Sequence, residues 1–367
     1  MEEKMMPNSS SISKFQLFFL LIQSQIGIGL LSLPNVVQST AKGDGWISTI
    51  IAGGAIQLTL IIYWLLLRRF PNQMYTEITK KILGNLLGKL CNTAIYLYYI
   101  LMGSLSAVLF IQCINVWLLP LTPLWVLSLT IMVASVYLTL GGLRIIARFF
   151  VLASFLILFL IFLSFLTFNL PKEFQFILPM GDSGIENILL GSKNTLFSMA
   201  GFDGILLISP FILNREKGVL KTISLSNLSI TTLYTYFLFL CLVSISPSQL
   251  MQIKEPVLYL FRALSYQMTD RLDFLFLSIW IVPMTTSVII NLFLSAKSIS
   301  KEKVYKKNVV FSGILIYIIS IIPFNEKMID LFSKYVSYLS YGIVFGLPVF
   351  LLCLSIIFNK MERKENT

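Results

Sequence analysis

Long apolar stretches alternate with short polar segments along almost the whole chain. Apolar runs of about 20 residues are typical of transmembrane helices, whereas the strands of outer-membrane barrels alternate in polarity over about ten residues. The pattern predicts an all-α integral membrane protein whose 367 residues form a single transmembrane domain. The ten predicted spans cover Phe15–Ser39, Trp46–Leu67, Asn92–Leu119, Leu124–Leu140, Ile145–Phe168, Asn187–Leu213, Leu220–Ile245, Leu272–Ala296, Val309–Pro323 and Leu331–Asn359.

Two of these spans contain helix-weakening residues near their centres. Span one carries SQIGIGLLSLP at residues 24–34, and span six carries MAGFDGILLISP at residues 199–210. Glycine and proline weaken helices, and an unpaired backbone group is costly inside a bilayer. Irregular backbone is tolerated at membrane depth only where protein or a water-filled cavity surrounds it. We therefore expect both helices to be broken next to such a cavity.

The two interrupted spans also suggest an internal repeat. Aligning Pro34 with Pro210 places GIGLLSLP over DGILLISP, and spans two and three precede spans seven and eight by similar distances. Each half then has five helices, from about residue 15 to 169 and from about 187 to 359. Because five is odd, the two halves enter the membrane from opposite sides. The sequence predicts a five-plus-five inverted repeat whose first helix is broken in both copies.

A break within a spanning helix creates two half-helix ends with free N–H and C=O groups that attract charged ligand groups. The amides of Gly27, Ile28 and Gly29 are accessible to an anion, for which a carboxylate is the expected guest. The second break contributes Ala200, Gly201 and Phe202 to the predicted binding site. The alternative interpretation is that the glycines only permit close helix packing.

Asp203 is the only carboxylate deep within a predicted span. A charge at that depth is expensive and usually functional, so Asp203 is a candidate to bind an ammonium group or another cation, or to carry a proton. Alternatively, it caps the half-helix that begins beside it. Lys193 lies about two turns inside the same span, and we expect its long side chain to reach the membrane surface.

Spans three and eight are expected to complete the pocket. Span three offers Ser104 and Ser106 beside Gly103, and span eight offers hydroxyl and amide side chains within PMTTSVIIN, of which Thr286 is the main candidate. Each hydroxyl can instead bond to its own helix backbone.

Two connections are long enough to hold structure of their own. Residues 73–90 place apolar side chains at helical spacing between lysines, which predicts one helix on the cytoplasmic interface. Residues 246–270 predict a short external helical hairpin, broken near Pro256, that serves as a lid. Simple interfacial packing is the alternative for both.

Composition and charge set the orientation and exclude several classes of function. The chain is 56% hydrophobic and carries 28 Lys and Arg against 17 Asp and Glu. With cytoplasmic termini, 20 basic residues lie in inside segments and 7 in outside segments, which satisfies the positive-inside rule. Scattered basic residues do not indicate nucleic-acid binding. The absence of histidine and the four widely spaced cysteines exclude a Ser-His-Asp triad and leave no predicted cofactor, metal site or enzyme activity.

The length, the ten spans, QIGIGLLSLP and MAGFDGILLISP together resemble the spore germination permeases. These proteins are the B subunits of the germinant receptors of spore-forming bacteria, within the amino acid-polyamine-organocation superfamily. The resemblance implies a fold like that of the leucine transporter, with a site at the two breaks for an amino acid or a similar small germinant. It also implies the spore inner membrane as location, and an A subunit and a lipoprotein C subunit as partners.

Carried over by position, Gly27 and Gly29 match the unwound stretch that binds a carboxylate, Gly201 and Asp203 match the second break, and Thr286 lies where the eighth helix lines the site. Sodium-coupled relatives use hydroxyl and carbonyl ligands around spans one and eight, and the sequence leaves ion coupling open here.

Two functions fit this pattern. In the first, the chain is the membrane subunit of a germinant receptor, and ligand binding at the midplane shifts a conformational equilibrium that its partners sense. In the second, it is an amino acid transporter coupled to protons through Asp203.

Overall fold

The computed structural model describes residues 11–215, 218–265, 271–299, 304–323 and 325–362, and these ranges are almost entirely helical. The helices are numbered in chain order: α1 (Lys14–Gln25), α2 (Ile28–Ala41), α3 (Gly45–Arg69), α4 (Tyr75–Leu83), α5 (Asn85–Trp117), α6 (Leu124–Leu140), α7 (Leu143–Ser164), α8 (Gly184–Ser198), α9 (Ile205–Ile208), α10 (Val219–Ser244), α11 (Pro247–Leu250), α12 (Pro256–Ser265), α13 (Leu272–Ile299), α14 (Tyr305–Ile321), α15 (Glu326–Ser340) and α16 (Leu347–Ile357).

Within the described residues, six helical stretches are long and apolar enough to cross a membrane: Ile28–Arg69, Asn85–Trp117, Leu143–Asn169, Val219–Ser244, Leu272–Ile299 and Glu326–Ile357. The remaining crossings are shorter helices, among them α6 and the halves of spans one and six. The ninth span, α14, begins four residues before its predicted start at Val309. The fold is therefore the predicted all-α membrane protein with ten crossings, while the boundaries of the two repeats stay a prediction.

The first and sixth spans are both broken, as the glycine and proline pattern predicts. α1 ends at Gln25, and α2 begins at Ile28 after two residues in extended conformation. α8 ends at Ser198, and the chain resumes with a 3₁₀ turn at Phe202–Gly204 followed by the short helix α9.

The two broken spans are also joined to each other near the N-terminus. Ile12, which precedes α1, forms a parallel β-bridge with Ile212, which follows the second half of span six. The Ile12 N–H donates to the Phe211 carbonyl over 2.9 Å, and the Leu213 N–H donates to the Ile12 carbonyl over 2.9 Å. Backbone pairing therefore directly connects the ends of α1 and of the α9 segment that lie away from the breaks.

Spans two and seven, the counterparts in the predicted repeat, pack closely where α3 meets α10. A Cβ atom at Gly53 would lie 2.3 Å from Thr231 Oγ1, so only glycine fits at this crossing. The Asn227 amide donates to the Gly53 carbonyl over 3.0 Å and to Gln57 Oε1 over 3.2 Å. Small residues and interhelical amides of this kind hold membrane helices together, because lipid supplies no hydrophobic driving force between them.

The single helix predicted over residues 73–90 is wrong. α4 ends at Leu83, Gly84 has a φ of 85°, and residues 85–90 are the first turns of α5. α4 folds back onto α5 at Gly88, where a Cβ atom would lie 2.5 Å from the Lys80 Cα. Leu86 is consequently 77% exposed instead of sharing the buried face of Ile78.

The connection after span seven contains the predicted pair of short helices, α11 and α12, and Pro256 begins the second of them. We call the surface that carries these helices the α12 face, and residues 266–270 of the predicted hairpin lie outside the described residues. Asn35 on α2 donates to the carbonyls of Leu250 and Met251 over 2.9 and 3.0 Å. Lys254 pairs with Glu326 at the start of α15 over 2.7 Å. The segment is thus attached to both spans one and ten.

The last span contains a widened turn that the sequence pattern does not predict. Residues Tyr341–Gly346 are π-helical and separate α15 from α16. The Tyr63 hydroxyl on α3 donates to the Val344 carbonyl inside this turn over 2.6 Å. Single π-turns inside α-helices are rare and occur frequently at functional sites.

Asp44 fastens the link between spans one and two to the start of span six. Its carboxylate accepts hydrogen bonds from the Gly181 N–H over 2.7 Å, and from the N–H and hydroxyl of Ser183 over 3.0 and 2.6 Å. Burial alone would raise the pKa of Asp44, but these hydrogen bonds, led by that of the Ser183 hydroxyl, lower its pKa below the ordinary value.

We predict that Asp44→Asn destabilises the protein at neutral pH by about 1.5–3 kcal/mol, the range for hydrogen bonds to a charged group. Because the pKa of Asp44 is lowered in the folded state, its stabilisation is present above the ordinary Asp pKa and is lost as the pH falls through the folded-state value. Thermal denaturation in detergent across pH would show the gap between variant and parent narrowing on acidification. The exposed neighbour Asp182 provides the matched control, Asp182→Asn, and an equal loss in both variants would contradict the prediction.

Candidate functional site: a chamber between the two helix breaks

A cavity of about 680 Å³ lies between the two breaks and continues to the α12 face. Its inner wall includes Gly27 and Gly29 from the first break and Gly201 and Asp203 from the second. Its outer wall includes residues near the surface such as Lys254 and Glu326. We call this cavity the chamber.

The first break presents the N-terminal end of α2 to the chamber. Gly27 is the N-cap residue, and no side chain caps this helix end by a hydrogen bond. The Ser287 hydroxyl on α13 donates to the Ile26 carbonyl over 3.0 Å, so the break is fixed against span eight. The first N–H groups of a helix carry partial positive charge, which favours an anionic ligand group at this position.

The second break depends on a glycine at one position. Gly201 has a φ of 121°, and a Cβ atom there would lie 2.2 Å from the Ser24 carbonyl oxygen. The Ser24 hydroxyl in turn lies 3.0 Å from the Gly201 carbonyl oxygen. Both the backbone conformation and the close approach of span one exclude a side chain here.

Tyr234 on α10 holds the two breaks together. Its buried hydroxyl lies 2.7 Å from the carbonyl of Gln25 and 2.9 Å from the carbonyl of Ser198. These are the last residues of α1 and α8, so the single O–H of Tyr234 is shared between orphan carbonyls at both half-helix ends.

Asp203 lies at the inner end of the chamber and is only 3% exposed. The Gly201 N–H donates to its Oδ1 over 3.2 Å, and the Tyr99 hydroxyl on α5 faces the carboxylate. Among the described residues, no lysine or arginine pairs with it. The cap interpretation is not supported, because neither the 3₁₀ turn nor α9 has a side-chain cap and the carboxylate accepts from the preceding Gly201. The ligand interpretation is compatible with this geometry, because the carboxylate lines the chamber.

The glycines of the first break combine close packing with access to the chamber. A Cβ atom at Gly29 would lie 2.7 Å from the Ser198 carbonyl oxygen, and one at Gly27 would lie 2.8 Å from Ser287 Oγ. Both glycines line the chamber as well. The two interpretations of the sequence are therefore not exclusive.

The structure brings together six of the nine residues that the sequence assigns to the site. Those that line the chamber are Gly27, Ile28, Gly29, Ala200, Gly201 and Asp203. Ser104, Phe202 and Thr286 do not line it.

Each of these three residues has a different neighbour. The Ser104 hydroxyl donates to the Ile100 carbonyl over 2.8 Å and faces α14. The Phe202 ring packs on Tyr63. The Thr286 hydroxyl donates to the Pro283 carbonyl over 2.7 Å and faces Gln23 on α1. Ligand contact by these three residues would require a different conformation.

Lys193 lies outside the chamber and is exposed, with its ammonium group 5.5 Å from the centre of the Tyr341 ring. The Tyr341 hydroxyl donates to the Lys193 carbonyl over 2.9 Å.

Aromatic residues on α5 and α10 are the part of the site that the sequence did not indicate. Tyr98 and Tyr99 line the chamber from α5, and Tyr234 supports it from α10. Tyrosines occur throughout the apolar runs, so only the packing of the helices distinguishes these three. Within the described residues, no cluster of three or more His, Cys, Asp or Glu side chains is arranged to hold a metal ion.

The model of the family described as "Spore germination protein" matches residues 11–329. The chain belongs to this family. The chain is 26% identical over 349 residues to spore germination protein GerQB of Bacillus cereus, covering 94% of this chain and 96% of that protein. It is also 26% identical over 355 residues to spore germination protein YndE of Bacillus subtilis, covering 95% and 97%.

Solved structures show which fold this family member shares. The nucleobase-cation-symport-1 transporter Mhp1, in a closed conformation with bromovinylhydantoin bound, superposes with a TM-score of 0.66 at 14% identity, over 94% of this chain and 78% of Mhp1. MhsT in complex with L-phenylalanine superposes with a TM-score of 0.67 at 13% identity, over 96% and 91%. The family member is thus a multi-pass membrane protein with the fold of these transporters.

We predict that Tyr234→Phe destabilises the protein by about 1–3 kcal/mol, because it leaves buried carbonyls without a donor. Thermal denaturation in detergent would measure the loss. Tyr137→Phe is the control, since Tyr137 is 81% exposed. Equal stability of Tyr234→Phe and the parent would show that the hydroxyl does not hold the breaks.

Proposed function

We propose that this chain is the membrane subunit of a spore germinant receptor, which binds a small germinant at the chamber and triggers germination together with A and C partner subunits. The observation that carries the proposal is the pair of broken spans facing each other across the chamber, in a member of the spore germination protein family.

The two ends of the chamber's inner wall suit a zwitterion. The uncapped N-terminal end of α2 favours a carboxylate, and Asp203 favours an ammonium group. An amino acid carries both groups a short distance apart. The volume of about 680 Å³ is also within the range of small-molecule pockets and exceeds that of one amino acid.

The orientation follows from the distribution of basic residues. With both termini cytoplasmic, the α12 face is external and the chamber opens to the outside. A germinant arriving from outside the spore inner membrane reaches the breaks through this opening. Its binding favours one conformation of the chain, and the partner subunits in the lipid bilayer respond to that change.

A second candidate is a proton-coupled amino acid transporter. The observation in its favour is Asp203, a buried carboxylate at the inner end of the chamber in a fold shared with transporters. Purified protein in liposomes separates the two. Concentrative amino acid uptake that Asp203→Asn abolishes supports the transporter, whereas saturable binding without uptake supports the receptor.

We predict that Gly27→Leu abolishes ligand binding, because its side chain would fill the space beside Ser287 and block the amides of the first break. Saturation binding to the purified protein would measure this with a panel of the 20 amino acids, inosine and glucose. Spores carrying the variant should also lose their response to whichever compound the parent binds.

Gly54→Leu is the matched control for this prediction, since Gly54 is exposed on α3 and a Cβ atom there meets nothing within 4 Å. Binding that survives Gly27→Leu unchanged would place the site elsewhere and overturn the proposal.

A further inference from the structure

The chamber extends beyond the level of the two breaks. Ser287 bonds to the first break at Ile26, and Asn291 and Leu294 line the chamber one and two turns further along α13. At the second break, Asp203 follows Gly201 by two residues and lines the chamber as well. This innermost part, which we call the floor, therefore has two polar side chains, Asp203 and Asn291, that are 3% and 9% exposed.

The Asn291 side chain is held so that its oxygen remains available. Its amide nitrogen donates to the Ser287 carbonyl over 2.8 Å. Gly103 on α5 packs against it, since a Cβ atom added at Gly103 would lie 3.3 Å from the Asn291 Cβ. No hydrogen bond to Asn291 Oδ1 occurs within the described part of the chain, and the residue lines the chamber. The floor thus contains a fixed acceptor without a donor.

Asp203 supplies a second acceptor on the same floor. A carboxylate has about four lone-pair positions, and the Gly201 N–H and the Tyr99 hydroxyl do not fill them. The two ion pairs found in the described ranges, Lys254–Glu326 and Arg271–Asp273, do not involve it.

Helix α5 approaches both acceptors. The hydroxyl of its Tyr99 faces Asp203, and its Gly103, one helical turn later, packs on Asn291. The nearby hydroxyl of Ser106 donates to the Met102 carbonyl over 2.9 Å and does not satisfy either acceptor. A guest at the floor must therefore be a donor or a cation.

We propose that Asp203 and Asn291 form a subsite for one monovalent cation at the floor of the chamber. Carboxylate and amide oxygens both suit hard cations, and one carboxylate balances one positive charge. The cation is either the ammonium group of a germinant or a free alkali ion, since both offer the same chemistry. The assignment rests on the proposed function in treating the chamber as a ligand site.

The test measures thermal stability of the purified full-length protein in detergent during titration with sodium, potassium or methylammonium chloride. Choline chloride, whose quaternary ammonium has no N–H donor, keeps the ionic strength constant and serves as reference. We expect at least one of the three small cations to raise the melting temperature saturably. Asn291→Leu, which keeps the side-chain size, should raise the half-saturating concentration by about tenfold, as should Asp203→Asn.

Ser106→Ala is the matched control, because its hydroxyl lines the same chamber but bonds to its own helix, and it should leave the titration unchanged. The melting temperature of Asn291→Leu in choline chloride checks that this variant folds. Protection by sodium or potassium identifies a free ion as the occupant, and protection by methylammonium alone identifies a ligand ammonium group.

The subsite is overturned if no small cation protects more than choline, or if Asn291→Leu and Ser106→Ala titrate alike. The proposed function fails separately, in the panel of amino acids, inosine and glucose. A parent protein that binds a panel compound while Asn291→Leu has no effect keeps the function and loses the subsite. If small cations protect the protein through Asn291 but no panel compound binds, the subsite stands and the proposed function fails.

Discussion

Backbone groups inside a bilayer need partners, and this requirement governs the centre of the molecule. Two spanning helices are broken, so each break exposes N–H and C=O groups at a depth where lipid offers no hydrogen-bond partner. Three side chains bond to those groups: Tyr234 to the ends of α1 and α8, Ser24 to Gly201, and Ser287 to Ile26. The carbonyl side of the breaks is thereby bonded to protein, whereas the N-terminal end of α2 has no side-chain cap. The asymmetry makes the chamber more attractive to an anion at one end than at the other.

The glycines have a second role besides weakening the helices. At Gly201 the positive φ and the Ser24 carbonyl exclude any side chain, and at Gly29 a Cβ atom would lie 2.7 Å from the Ser198 carbonyl oxygen of α8. Close contact between spans one and six and an open chamber beside them thus depend on the same residues. A side chain at either glycine would therefore clash with the backbone of the chamber wall, whether or not a ligand is bound.

The sequence predicted the crossings and the breaks because both depend on local composition. Apolar length defines a span, and glycine with proline defines a weak point within it. The sequence predicted less well which face of each helix lines the chamber. Ser104 and Ser106 lie two residues apart and therefore about 200° apart around α5, so only one of them faces the chamber. Likewise, Thr286 faces Gln23 on α1, whereas its neighbour Ser287 lines the chamber. The π-turn at Tyr341–Gly346 and the break at Gly84 depend on tertiary packing, which has no periodic signature.

The β-bridge between Ile12 and Ile212 has a mechanical consequence. It ties the ends of α1 and of the α9 segment that lie away from the breaks by two main-chain hydrogen bonds, each of which only a proline at its donor, Ile12 or Leu213, would remove. Separating these two ends therefore requires both main-chain hydrogen bonds to break. At its other end, α1 is fixed by Tyr234 to the end of α8. A displacement of the α9 segment would therefore carry the N-terminal end of α1 with it.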